Sequence, residues 1–183
     1  LDEPLEVRIT RAIIPLRTVR ARLEGDGTIG YFWVSQFSGT TFDSMVREIE
    51  ELEKEAEKEI TGYIMDLRNN PGGLLTQAID ISDAFLEKGE VVSTRGRDER
   101  AVRRYTARPG DIINGKPLVI LVNSGSASAS EIVAGALKDH RRAVIMGTTT
   151  FGKGSVQTLF DLPGAGVVKL TTQRYYTPAG TSI

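Results

Sequence analysis

Cysteine is missing from this 183-residue sequence, and histidine occurs only once, as His140. The absence of cysteine excludes disulfides, cysteine-ligated zinc, iron–sulfur clusters and a thiol nucleophile. A single histidine argues against a multi-histidine metal site and makes any Ser-His-Asp triad depend on His140. If the chain is a hydrolase, we therefore expect a group other than histidine to act as its base.

A strong charge and a long apolar run are also missing. The net charge of −1 argues against a general nucleic-acid binder, which is usually basic. No apolar run approaches the 18 or so residues of a transmembrane helix. The hydrophobic fraction of 40% and the charged fraction of 26% are ordinary for a globular domain with a real core. The first residue is not Met and lies close to a strand-like pattern, so we expect a fragment of a longer protein.

Apolar strand patterns alternate with amphipathic helix patterns along the chain. This alternation predicts an α/β fold with a largely parallel or mixed sheet. The predicted helices cover about 42–59, 74–86 and 128–138. The predicted strands are two short ones within 5–23, then 29–37, 63–67, 90–95, 101–107, 117–122, 143–146, 154–162 and 167–176, with 143–146 expected to be buried. The arginine-rich stretch 95–108 favours a solvated edge hairpin over a loop for an anionic ligand.

Three loops follow apolar strands, at the sheet edge where sites of α/β proteins gather. We name them the glycine turn (69–73), the serine loop (123–130) and the lysine loop (147–154). The serine loop leads from a buried strand into an alanine-rich helix, as a nucleophilic serine elbow does. Spacing alone does not choose among its four serines, Ser124, Ser126, Ser128 and Ser130. Ser128-x-x-Glu131 is also a capping box, which is the purely structural interpretation.

The lysine loop nearly matches a phosphate-binding loop, G-x-x-x-x-G-K-[ST]. Gly154 replaces the Mg²⁺-binding hydroxyl, and a strand pattern follows where a helix is required, so nucleotide binding is the weaker interpretation and would have to depend on Lys153 and Mg²⁺. We expect Lys153 to be buried between strands, where desolvation would lower its pKa and make it a neutral base. Ser and Lys together would supply a dyad without histidine. Gly72-Gly73 could offer a backbone N–H to an oxyanion, and its alternative role is a plain turn.

His140 is the competing base. It comes 12 residues after Ser128, at the far end of the same predicted helix, about 18 Å away at the helical rise. We interpret it as a helix-terminal cation or a surface residue.

Three motifs resemble those of carboxy-terminal processing (tail-specific) serine peptidases. The resemblance covers about residues 5–183 and lies in Asp66-Leu67-Arg68-Asn69-Asn70-Pro71-Gly72-Gly73, Gly125-Ser126-Ala127-Ser128-Ala129-Ser130-Glu131-Ile132 and Phe151-Gly152-Lys153-Gly154-Ser155-Val156-Gln157. It implies an α/β core of the crotonase/Clp-peptidase type, with a mixed, largely parallel β-sheet flanked by helices. Residues 1–183 would be the catalytic core, without the PDZ domain that normally precedes it and with a truncated C-terminal extension.

The resemblance also assigns residue roles. It implies Ser128 as nucleophile, Lys153 as base and Gln157 as the residue that orients the amine. On one strand Lys153 and Gln157 would share a face. The implied oxyanion donors are the N–H groups of Ala129 and of Gly72-Gly73. The implied supporting positions are Glu131, Asp139 and Thr150, although Asp139 could simply end the helix.

The implied activity is cleavage of polypeptides at or near unstructured C-termini through an acyl-enzyme, without metal or cofactor and without nucleic acid. A homo-oligomer or an adaptor in the full-length protein is compatible with it. The implied location is extracytoplasmic, in a bacterial periplasm or envelope or a thylakoid lumen. Two alternatives remain on the same fold. A non-catalytic peptide- or ligand-binding module would not require the dyad, and an acyl-CoA enzyme gives no reason for Ser and Lys at these positions.

Overall fold

Nine strands and three helices form the described part of the chain, which in this computed structural model comprises residues 7–12, 16–98 and 102–183. The strands are β1 Val19–Glu24, β2 Ile29–Val34, β3 Gly62–Asp66, β4 Gly89–Gly96, β5 Arg103–Ala107, β6 Leu118–Val122, β7 Val144–Gly147, β8 Ser155–Leu162 and β9 Gly166–Tyr176. The helices are α1 Thr41–Glu55, α2 Leu75–Asp83 and α3 Ala129–Asp139.

The main sheet has five strands in the order β1-β2-β3-β6-β7. β1 pairs with β2 antiparallel, and the pairs β2–β3, β3–β6 and β6–β7 are parallel. The predicted α/β fold with a mixed, largely parallel sheet flanked by helices is therefore confirmed. β3 and β6 owe their central place to composition, since Met65, Leu118 and Ile120 are buried there.

A second, antiparallel sheet has the order β5-β4-β9-β8. The sequence pattern predicted its strands but not their separation from the main sheet. The predicted edge hairpin is β4–β5, and its other neighbour is β9, which follows much later in the chain. β8 and β9 form the hairpin that carries Gln157.

The helices bury their apolar faces against the sheets. Met45, Ile49 and Leu52 of α1 are buried and form the stripe that the sequence predicted. α3 is buried along most of its length, as its small residues allow. None of the helices in the described ranges is long and apolar enough to cross a membrane.

Some boundaries and one burial prediction were wrong. α1 ends at Glu55 and α2 spans only Leu75–Asp83, so both are shorter than predicted. Of the two strands predicted within 5–23, only β1 forms, since 7–12 and 16–18 are irregular and 1–6 and 13–15 lie outside the described residues. β7 is not buried: Val144 is 62% and Met146 54% exposed. β7 is the last strand of its sheet, with β6 as its only neighbour in that sheet among the described residues.

Candidate active site

The glycine turn, the serine loop and the lysine loop lie together at the carboxyl edge of the main sheet. They follow the parallel strands β3, β6 and β7. The N–H of Ala127 donates to the carbonyl of Asn70 at 3.0 Å, joining the serine loop to the glycine turn. The N–H of Phe151 donates to the carbonyl of Ser126 at 3.0 Å, joining the lysine loop to the serine loop. The predicted gathering of the three loops at one edge is therefore present.

The four serines of the serine loop occupy different environments. Ser126 and Ser130 are fully buried, and their hydroxyls donate to the carbonyls of Leu67 at 2.8 Å and Asn70 at 2.9 Å. Ser124 is exposed five residues before the start of α3, and Ser128 is half-buried directly before α3. The hydroxyls of Ser126 and Ser130 are thus engaged in holding the loop, which leaves Ser128 as the serine at the helix N-terminus.

Ser128 has a strained backbone. Its φ of 56° and ψ of −110° lie in a region that L-residues rarely adopt. Such a residue costs on the order of 1–3 kcal/mol and persists only where its surroundings hold it. The Glu131 side chain contributes, because Oε2 accepts the Ser128 N–H at 2.8 Å. This contact is one half of the capping box expected from the sequence.

The Glu131 carboxylate connects the serine loop to the lysine loop. It is only 6% exposed. Besides the Ser128 N–H, Oε2 accepts the Lys153 N–H at 2.8 Å, while Oε1 accepts the Gly152 N–H at 2.6 Å and the Thr150 hydroxyl at 2.7 Å. One buried carboxylate therefore fixes the backbone of the residue proposed as nucleophile and that of the residue proposed as base. Glu131 and Thr150 are thus in contact with each other, and their supporting roles stay predictions.

Two backbone amides beside Ser128 have no hydrogen-bond acceptor among the described residues. They belong to Ala129, the first residue of α3, and Gly73. Gly72 differs from the prediction: its N–H already donates to Asn70 Oδ1 at 2.9 Å, so it is not free for an oxyanion. Gly72 matters instead for space, because a Cβ there would lie 2.9 Å from both Ala129 N and Ser128 Cβ.

Lys153 and Gln157 are both exposed, which corrects two expectations. The predicted burial of Lys153 is wrong, since the neighbouring Phe151 is itself 69% exposed. The alternation argument for a shared face also fails. Lys153 precedes β8, and the strand register shifts between Val156 and Gln157. The lysine loop runs into this strand and not into a helix, which agrees with nucleotide binding being the weaker interpretation.

Asp139 and His140 lie at the far end of α3, about 16 Å or more from Ser128 at the helical rise. The Asp139 carboxylate accepts the Ala179 N–H at 2.9 Å. This contact anchors the C-terminal turn and does not reach the three loops. A ring nitrogen of His140 donates to the carbonyl of Glu90 at 2.7 Å, and the ring is half-buried. The expectation that His140 ends a helix is confirmed, and its ring ties that end to β4.

Asn70 is a residue of this site that the sequence analysis missed. It is fully buried, and its Nδ2 donates to the carbonyl of Val34 at 2.8 Å. Its Oδ1 accepts from Gly72 and its carbonyl accepts from Ala127 and Ser130. Asn70 thus connects β2, the glycine turn and the serine loop. The signal was its place in Asn-Asn-Pro-Gly-Gly, because asparagine bonds local backbone in turns.

Asp66 ends β3 below the glycine turn and is almost completely buried. Burial acts to raise its pKa, but hydrogen bonds from Arg68 and from the Tyr31 hydroxyl outweigh burial, so the pKa of Asp66 lies below its ordinary value. Burial, with the same contact to Asp66, raises the pKa of Tyr31. Within the described ranges, no three His, Asp or Glu side chains are grouped as a metal ion would need.

Comparison with known proteins gives one consistent family. The model of peptidase family S41 matches residues 28–183. A carboxy-terminal-processing protease of Bartonella bacilliformis is 53% identical over 184 residues, covering 100% of this chain and 42% of that protein. A carboxyl-terminal-processing protease of Synechocystis is 42% identical over 97% of this chain and 41% of its own length. The chain thus spans about two fifths of the curated relatives that it matches.

Solved structures agree with this family. A photosystem II D1 C-terminal processing protease superposes with a TM-score of 0.80 at 34% identity, covering 94% of this chain and 47% of that one. A lipoprotein from Streptococcus agalactiae superposes with a TM-score of 0.65 over 91% of this chain and 61% of its own. At 20% identity, that second likeness concerns the fold alone.

Proposed function

The chain belongs to peptidase family S41, and from that premise we propose that it is the catalytic core of a serine endopeptidase that cleaves polypeptides at or near their C-termini. The substrate end is suggested by relatives named for carboxy-terminal processing. We propose residues 1–183 as this core, with Ser128 as nucleophile and Lys153 as base. A PDZ domain before it, an extension after it and an extracytoplasmic location remain expectations from the resemblance.

One observation carries the proposal. Ser128 lies in a strained conformation at the junction of the serine loop and α3, next to the glycine turn, and the amides of Ala129 and Gly73 have no acceptor among the described residues. A strained serine beside free amides suits nucleophilic attack with oxyanion stabilisation. The link through Glu131 to the backbone of Lys153 supports a base drawn from the lysine loop.

The proposed reaction needs no group beyond the chain, the peptide and water. Lys153 takes the proton of the Ser128 hydroxyl as Oγ attacks the scissile carbonyl carbon. The amides of Ala129 and Gly73 donate to the resulting oxyanion. The C–N bond then breaks, the Lys153 ammonium returns its proton to the leaving amine, and an ester to Ser128 remains. Water, deprotonated by the same amine, hydrolyses the ester and regenerates Ser128.

Because Lys153 is exposed, we propose that the bound substrate also shields its amine from water. Water around the exposed Lys153 amine would compete with the serine hydroxyl for contact with it. A polypeptide lying across the serine loop would exclude water from the lysine loop as it binds. In this proposal Lys153 acts as the base only when the substrate is bound. The orienting role of Gln157 rests on the resemblance alone.

A fluorophosphonate probe, which reacts with activated serines, tests the dyad directly. We expect the chain to be labelled at Ser128, and we expect both Ser128→Ala and Lys153→Ala to abolish labelling and cleavage of an unstructured peptide. Ser124→Ala and Lys169→Ala are matched controls, because both residues are exposed and neither belongs to the proposed dyad. The controls should be labelled like the parent chain.

Two outcomes would contradict the proposal. Labelling of Ser128 that persists in Lys153→Ala would remove Lys153 from the mechanism. A parent chain that is not labelled would favour the non-catalytic binding module on the same fold. An acyl-CoA enzyme would be indicated by thioester turnover that survives in Ser128→Ala.

A further inference from the structure

A second feature of the same sheet edge is a cleft of about 410 Å³ that the proposed mechanism does not use. Its side chains come from one face of β1 and β2, from the last residue of β3 and from the residues that follow β3 and β6. Paired positions place Arg20 opposite Trp33 and Arg22 opposite Tyr31. We name it the arginine cleft, and the residues that define it are Arg20, Arg22, Arg68, Tyr31, Trp33 and Asp66.

The arginines of the cleft are held by aromatic rings and by the carboxylates of Asp66 and Glu24. The Arg22 guanidinium lies 4.0 Å from the centre of the Tyr31 ring, and that of Arg20 lies 5.8 Å from the Trp33 ring. Such stacking attracts the cation and leaves the edge of the guanidinium able to donate hydrogen bonds. Arg68 donates to both oxygens of Asp66.

The cleft contains more donors than acceptors. Asp66, its one lining carboxylate, is already saturated by Arg68 and by the Tyr31 hydroxyl at 2.6 Å. Arg22 donates from its Nε to Glu24 at 2.6 Å. In the described part of the chain no carboxylate forms a salt bridge with Arg20. The remaining guanidinium N–H groups have the geometry that carboxylates accept.

The cleft lies close to the proposed nucleophile. Asn69 and Asn123 line it and are joined by a hydrogen bond of 3.0 Å between Asn123 Nδ2 and Asn69 Oδ1. Gly72, which adjoins Ser128, is three residues from Asn69, at most about 11 Å of extended chain. A peptide lying across Ser128 would therefore reach the cleft within a few residues.

We propose that the arginine cleft binds a carboxylate of the polypeptide substrate a few residues from the scissile bond. The choice of a polypeptide rests on the proposed function. The carboxylate is an Asp or Glu side chain or the terminal α-carboxylate, which offer the cleft the same two oxygens. Binding it would position the substrate and give the core a preference for acidic tails.

Peptide binding to the chain carrying Ser128→Ala tests this proposal without requiring cleavage. The first probes are unstructured Ser/Gly/Ala peptides that each contain one Glu, placed at a different position in each peptide. The second set has Gln in place of that Glu. Every peptide is also made with an amidated C-terminus. We expect the best-placed carboxylate to tighten binding about tenfold, as charge-assisted hydrogen bonds do, and added salt to reduce the difference. Preference lost on Glu-to-Gln exchange identifies a side chain, and preference lost on amidation identifies the α-carboxylate.

The double variant with Arg20→Gln and Arg22→Gln should abolish the preference for the carboxylate peptide. The single variant Arg20→Lys should retain part of that preference. Arg103→Gln, an exposed arginine of β5, removes charge elsewhere and should leave the preference intact. Equal affinities for all peptides, or a preference that survives Arg20→Gln with Arg22→Gln, would overturn the proposal. Neither result bears on the Ser128 probe reaction, which tests the proposed function separately.

Discussion

Exchange of Glu131 for Gln perturbs the contact on which both proposed catalytic loops depend. The carboxylate accepts two hydrogen bonds at each oxygen. An amide nitrogen at the Oε2 position would face two N–H donors. At the Oε1 position the Thr150 hydroxyl can turn to accept, so only the Gly152 N–H is left without an acceptor. The amide should therefore adopt the second orientation.

The loss of stability in Glu131→Gln follows from the hydrogen bonds that this orientation removes or weakens. The Gly152 N–H loses its acceptor, and the remaining bonds of the buried Glu131 side chain lose their charge assistance, so the free energy of unfolding should fall by about 2–4 kcal/mol. Urea unfolding measures this change, and hydrogen exchange at the Gly152 amide should become faster. Hydrolysis should fall as well, because the hydrogen bond that holds the strained Ser128 backbone loses its charge assistance.

Glu51→Gln is the matched control, since Glu51 is exposed on α1. Its free energy of unfolding should stay within about 0.5 kcal/mol of the parent chain. If Glu131→Gln also stays within that range and the Gly152 amide exchanges at its original rate, then Glu131 does not hold the two loops. The reasoning would then be refuted whatever happens to activity.

Two further predictions concern Gly72 and Asp66. Gly72→Ala should reduce hydrolysis about 100-fold or more, because its Cβ would lie 2.6 Å from Ala127 O and 2.9 Å from Ala129 N and would displace the backbone that carries the proposed oxyanion donor. Gly164→Ala is the control in the same assay, since Gly164 also has positive φ but no atoms within 4 Å of its Cβ position, and equal losses in both variants would contradict the oxyanion argument. Asp66 has a lowered folded pKa. Its stabilising contribution is therefore present above the unfolded value of about 3.9 and is lost as pH falls through the lower folded value. Asp66→Asn should destabilise the chain by about 1–2 kcal/mol at pH 7 and flatten the loss of stability below about pH 4. The free energy of unfolding, measured with urea at several pH values, checks this. If it falls with pH equally in the parent chain and in the variant, the assignment is contradicted.

The α/β fold could be predicted because its signal is local. Buried apolar strands and amphipathic helices alternate, and periodicity identifies each from its own residues. The division into two sheets could not be predicted in this way. β4 pairs with β9 through contacts such as Arg95 with Arg174, which are far apart in sequence. No local pattern of either strand indicates that partner.

Within the site, spacing alone could not distinguish the four serines. The serines are distinguished by long-range hydrogen bonds. The Ser126 hydroxyl donates to a carbonyl 59 residues earlier in the chain, and the Ser130 hydroxyl donates to a carbonyl 60 residues earlier. The same limit explains the error at Lys153. Its apolar neighbours indicated burial, but the position of β7 at the end of its sheet leaves that region exposed.

The serine loop and the glycine turn are joined mainly by uncharged partners. The hydroxyls of Ser126 and Ser130 and the amide of Asn70 bond to backbone carbonyls. None of these groups titrates at ordinary pH, and none relies on an attraction that salt screens. The frame around Ser128 should therefore keep its shape where acidity and ionic strength vary. Ionic strength would instead act at the arginine cleft, where Arg20 and Arg22 are exposed.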